Sequence, residues 1–113
     1  MVLRNIFQEI GLHSEEELIE SISGGRGIRI ERIVSYGHSS PPGFWYVQDS
    51  NEFVLLISGS AGLLFEGEDE IVVMQPGDYL DIPAYKKHRV EWTDQRQPTI
   101  WLAVHSFIPD FSE

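Results

Sequence analysis

The sequence predicts an all-β domain, an antiparallel sandwich or barrel preceded by a short helix. Three observations lead there. From Gly27 onward, short runs rich in Ile, Val, Leu, Phe and Trp alternate with Gly, Pro, Asp and Asn, the punctuation of many short strands. The chain has 113 residues, enough for one domain with a real core and no need of a staple. With 42% hydrophobic and 23% charged residues, it can bury enough apolar surface to fold.

The helix is expected first. Ser14-Glu15-Glu16-Glu17 has the form of a capping box, in which the serine oxygen takes the Glu17 amide and the Glu17 carboxylate reaches back to Ser14. Three glutamates in a first turn suit the positive end of the helix dipole. Leu18, Ile19 and Ile22 form an apolar stripe behind the cap, and Ser23-Gly24-Gly25 ends it. Residues 1–26 are therefore expected to be a helical lead packed on a β domain spanning 27–113. Strands are expected near Ile28–Tyr36, Phe44–Gln48, Glu52–Ser58, Gly62–Glu66, Glu70–Met74, Tyr79–Ile82, His88–Thr93 and Thr99–Ser106. Turn residues separate them: Asp49-Ser50-Asn51, Gly59-Ser60, Gly67-Glu68-Asp69, Gln75-Pro76-Gly77-Asp78 and Asp94 to Pro98.

Composition excludes several kinds of function. Eighteen acidic residues against 8 basic ones give a formal charge of −10, which opposes nucleic acid and anionic membrane surfaces. The absence of cysteine removes a disulfide framework, a thiolate nucleophile and any Cys-type zinc site. No apolar run approaches the ~20 residues of a membrane span, and the N-terminus does not read as a signal peptide, so the cytoplasm is the expected location.

Alternation places polar groups inside. Side chains two apart on a strand share a face, so Tyr46 and Gln48 point together. Glu52 shares its face with Val54 and Leu56, and His88 with Val90 and Trp92. If those apolar neighbours mark the interior, Gln48, Glu52 and His88 point inward beside Tyr46. Buried polar groups need partners. A divalent metal would satisfy an imidazole, a carboxylate and an amide together, and so would mutual hydrogen bonds and water.

Glu52 followed six residues later by Gly59 resembles the end of the first cupin motif. Gly77-Asp78-Tyr79-Leu80-Asp81-Ile82-Pro83-Ala84-Tyr85-Lys86-Lys87-His88 resembles the second. Over Ile28 to Ser106 the chain resembles a small single-domain cupin of the conserved-barrel type (cupin 2). The resemblance implies a jelly-roll β-barrel, a homodimer, and a site for a small-molecule ligand. It also implies one divalent metal (Zn, Fe, Mn or Ni) on Glu52 and His88, with Gln48 as the third ligand. The family's His-x-His pair is replaced here by Tyr46 and Gln48, Tyr85 stands where glycine is usual, and the stretch from Gly37 to Tyr46 is longer than the family spacing.

Two functions follow as expectations. One is a metal-dependent cupin enzyme acting by oxygenation, isomerisation, or lyase or hydrolytic chemistry. The other, favoured by the missing His-x-His pair, is a metal-free, non-catalytic barrel that binds or senses a small ligand. Tyr46, His38 and Trp92 are the further pocket residues expected. His38, on the rigid loop before Pro41-Pro42, could swing in as a ligand or proton carrier, or could bond the backbone. His105, beside Trp101 and Ala103, reads as a satisfied sheet histidine. Lys86, Lys87 and Arg89 make a local basic spot. The last strand is apolar on both faces, which suggests burial on both sides, either between sheets and the N-terminal helix or between subunits.

Overall fold

The computed structural model describes residues 1–107. Eight strands form: β1 Leu18–Gly25, β2 Ile28–Ser35, β3 Asn51–Ser58, β4 Ala61–Phe65, β5 Val72–Met74, β6 Tyr79–Ile82, β7 His88–Thr93 and β8 Thr99–Ser106. They build two antiparallel sheets, one ordered β1-β2-β8-β3-β6 and one ordered β5-β4-β7. The expected domain boundary at 113 lies outside the described residues.

The expected helix is a strand. Leu18, Glu20 and Ile22 are half-buried and alternate with exposed Ile19, Ser21 and Ser23, a period of two. Pairing with β2, from Leu18 opposite Val34 to Gly25 opposite Ile28, satisfies the backbone and outweighs the local helix signals. Two β-branched isoleucines and two serines in this run weaken those signals further. The Ser14 oxygen takes the Glu16 amide (3.3 Å) and its hydroxyl donates to the Glu16 carbonyl (2.8 Å), which closes a turn instead of capping a helix. No helix forms among the described residues, so none is long and apolar enough to cross a membrane.

The N-terminal lead is tied to the sheet through Arg32. This residue is buried, pairs with Glu20, and donates to the Ile6 and Gln8 carbonyls at 3.0 and 2.7 Å. Its charge is acceptable in that position because a carboxylate and two carbonyls surround it.

Val54, Leu56, Ala61, Leu63, Phe65, Met74, Ile82 and Trp101 form the core between the sheets. The interior face of β3 carries Glu52, Val54 and Leu56, as its alternation requires. Two glycines allow close backbone approach: a Cβ on Gly62 would lie 2.3 Å from Trp92 Nε1, and one on Gly59 (φ +86°) would lie 2.4 Å from Thr99 Oγ1. The predicted strand Phe44–Gln48 shrinks to one bridge, Tyr46 with His88. Pro41-Pro42-Gly43 before it and Asp49-Ser50 after it leave no room for a ladder. Strand β8 lies between β2 and β3 in the larger sheet, so both its edges are paired; Trp101, Ala103 and His105 are buried on one face and Leu102 and Val104 half-buried on the other.

Candidate ligand site at one end of the barrel

A cavity of about 290 Å³ opens between the sheets, and Gln48, Glu52, His88 and Tyr46 all line it. Its floor is apolar, made by Ile33, Val54, Leu63, Ile82, Val90 and Trp101. Strand register sets the polar groups. Glu52 lies opposite Ile82 on one side and His105 on the other, and His105 lies opposite Arg29. One row across the sheet therefore reads Arg29, His105, Glu52, Ile82. His88 begins β7, opposite Phe65, and its backbone is bonded in both directions to Tyr46 (2.7 and 3.1 Å).

The first polar cluster is His88 with Glu52 and Gln48. His88 is buried, and its ring lies between the Tyr46 and Phe65 rings at centroid distances of 5.7 and 5.9 Å. Nδ1 lies 3.1 Å from the Lys86 carbonyl. A carbonyl only accepts, so Nδ1 carries a proton, and in the neutral ring Nε2 is an acceptor. That nitrogen faces Glu52 Oε1 at 3.7 Å, too far for a hydrogen bond. The Gln48 amide donates to the same oxygen at 3.2 Å. Tyr46 has its phenol pushed above 10.0 by burial first, then by the charges of Glu17 and Glu52. Glu17 accepts the Ser35 hydroxyl, which in turn accepts Trp101 Nε1 (3.1 Å).

The second cluster was not legible as a site. His105 is 3% exposed, and its Nε2 lies 3.0 Å from Glu31 Oε1, while Arg29 Nε holds Glu31 Oε2 at 3.2 Å. All three residues line the cavity. His105 Nδ1 is buried and has no partner among the described residues. The available signal was alternation: Trp101, Ala103 and His105 share a face, as do Arg29, Glu31 and Ile33.

Two expected pocket residues lie elsewhere. His38 accepts the Tyr36 amide on Nδ1 and meets the Glu15 carbonyl through Nε2, both at 2.8 Å, so the loop holds its ring away from the cavity. Trp92 is turned away by a bulge: Gly62 pairs with Trp92 but Leu63 pairs with Val90, which leaves Glu91 as an extra residue. Trp92 therefore packs over Gly62 on the other face, while His88 and Val90 stay inside. The basic spot is spent outside the cavity, with Lys86 on the Glu66 carbonyl, Lys87 on Glu66, and Arg89 on Glu91 and the Ser40, Pro41 and Phe44 carbonyls.

The donor set fits a resident transition metal poorly. Among the described residues no three His, Cys, Asp or Glu side chains converge to hold an ion. Glu52 and His88 supply two donors, and Gln48 turns its N–H, not its oxygen, towards Glu52.

No family model and no curated protein matches the sequence. Solved structures do. The chain is 44% identical to a Ralstonia eutropha protein provisionally described as a mannose-6-phosphate isomerase, with 96% of this chain and 100% of that one aligned and a TM-score of 0.92. A cupin superfamily protein from Desulfitobacterium hafniense aligns over 96% of this chain and 100% of its own, at 19% identity and a TM-score of 0.71. An RmlC-like cupin family protein with a double-stranded β-helix fold, from Methanocaldococcus jannaschii, aligns over 87% of this chain and 86% of its own, at 18% identity and a TM-score of 0.66. The motifs at Glu52 to Gly59 and Gly77 to His88, set on this pair of sheets, agree with that likeness, and the chain has the fold of the cupin proteins.

Proposed function

We propose that this cupin-fold protein binds a small organic molecule in the cavity bounded by Tyr46, Gln48, Glu52 and His88, without a resident metal. The observation that carries this reading is the meeting of four polar side chains on an apolar floor, in a space of about 290 Å³. Apolar walls with a few convergent polar groups are the ordinary form of a small-molecule site. The replacement of the family's His-x-His pair by Tyr46 and Gln48 supports a ligand held by hydrogen bonds.

The isomerase description of the Ralstonia relative suggests a second reading, proton transfer on a bound carbonyl compound. One observation favours it here: with Nδ1 on the Lys86 carbonyl, the neutral His88 ring turns the lone pair of Nε2 towards the cavity beside a carboxylate, the form of a general base.

Metal analysis of the purified protein, joined to fragment binding followed by amide NMR, tests the proposal. The expected result is no stoichiometric Zn, Fe, Mn or Ni, and fragments that shift the resonances of Tyr46, Gln48, Glu52 and His88. Stoichiometric metal that disappears in Glu52→Ala and His88→Ala would contradict it, as would fragments that bind only elsewhere.

A further inference from the structure

The polar groups of the cavity are unequal in kind. Glu31 has both oxygens occupied, one by His105 and one by Arg29. Glu17 has one oxygen on Ser35, and Glu52 has one oxygen on Gln48. The second oxygens of Glu17 and Glu52 have no hydrogen-bond partner among the described residues. In the neutral ring His88 Nε2 is an acceptor, because Nδ1 donates to the Lys86 carbonyl. By the same logic a neutral His105 donates from Nε2 to Glu31, and the lone pair left on its Nδ1 is buried in the wall, out of reach of the cavity. At Glu17, Glu52 and His88 the wall thus has a surplus of acceptors and a shortage of donors, which an occupant bearing N–H groups would supply.

Charge points the same way. Glu17, Glu31 and Glu52 line the space, and Arg29 is the single Lys or Arg lining it among the described residues. Arg29 is committed to Glu31 and lies 5.3 Å over the Phe107 ring. Among the described residues no helix terminus and no second Lys or Arg lines the cavity to hold a phosphate, which is normally met by several charge-assisted donors.

Resting on the small-molecule reading above, we propose that the cavity selects a small organic cation, an ammonium-bearing molecule whose N–H groups are taken by Glu52, Glu17 and His88, and that it rejects phosphorylated molecules. A phosphorylated sugar, the substrate class in the Ralstonia relative's description, would meet three carboxylates and one occupied arginine.

Matched ligands that differ in charge at nearly constant shape test this. One set is a hexosamine, the parent hexose and the hexose 6-phosphate, and the other is benzylamine, benzyl alcohol and benzyl phosphate. Each is titrated into the whole protein at neutral pH, with amide and indole NMR shifts as the readout. The expected order is amine tightest, alcohol weaker and phosphate undetectable, with about a tenfold or greater loss of amine affinity in Glu52→Gln, the usual scale of one charged hydrogen bond. Glu17→Gln should reduce the same preference, which separates loss of charge from any local distortion in one variant. Alcohol or phosphate binding as tightly as amine, with the cavity resonances shifted, would overturn the selectivity and leave the small-molecule site standing. Absence of cavity shifts with all six compounds would count against both.

Discussion

At one end of the barrel Leu56, Met74, Thr93 and Thr99 are fully buried, and the polar ones are satisfied: Thr93 donates to the His38 carbonyl (2.6 Å) and Thr99 to the Ser60 carbonyl (3.2 Å). At the other end Glu52, His88, Glu31 and His105 surround open space. Both buried side-chain polar atoms left without a partner among the described residues, His105 Nδ1 and Ser50 Oγ, belong to that end. Strands β3, β4, β7 and β8 each run from one end to the other, so the same elements carry both. The difference teaches that buried polarity is handled in two ways in this molecule. Thr93 and Thr99 close their hydrogen bonds within the chain, and the free acceptors of Glu17, Glu52 and His88 gather around the cavity.

If this division holds, substitutions should have unequal effects. Leu56→Ala removes a wholly buried side chain from the closed end and should cost about 3–5 kcal/mol in denaturant unfolding. Glu31→Ala should be the largest effect at the open end, about 1–3 kcal/mol, because it strips partners from Arg29 and from a buried histidine. A loss near zero would mean that the Arg29–Glu31–His105 cluster is not held as described. Glu52→Gln should leave stability within about 1 kcal/mol, since its Gln48 contact survives and one of three neighbouring charges is removed. A loss as large as that of Leu56→Ala would make Glu52 a structural residue and erase the contrast.

The smallest effect concerns Tyr46. Burial, then Glu17, then Glu52, raise its phenol above 10.0. In Glu52→Gln its titration midpoint, followed by ultraviolet difference absorbance, should fall and yet stay above that of a free tyrosine, because burial is the larger cause. The sign for stability follows from linkage. The folded protein holds the proton more tightly than the unfolded chain, so the contribution is complete below pH ~10 and is lost as pH rises through the folded midpoint. A midpoint unmoved by Glu52→Gln would place that carboxylate farther from Tyr46 than the structure does.

Strand identity from Ile28 onward was legible because period-two alternation and turn residues agree there, and Glu52 and His88 were legible because their apolar neighbours mark the inside. Leu18 to Gly25 was misread because its capping serine and glutamates are local signals, whereas its pairing to β2 is not local. Trp92 was misplaced by a single bulge, which reverses the facing of every residue beyond it and leaves no mark in the composition. His38 was over-valued because nothing in the sequence reveals that the Glu15 carbonyl waits for its ring. His105 was under-valued for the opposite reason: its alternation was plain, but the facing Glu31 comes from a strand more than seventy residues earlier (|i−j| 74).

The central claim is that this end of the barrel presents acceptors, and the tautomers of two histidines test it most directly. Long-range proton–nitrogen NMR correlations of the imidazoles, recorded on unliganded protein at mildly alkaline pH, should show His88 with its proton on Nδ1 and His105 with its proton on Nε2, opposite tautomers whose remaining nitrogens are both lone pairs. A proton on His88 Nε2 would turn the cavity's best acceptor into a donor and would contradict the account.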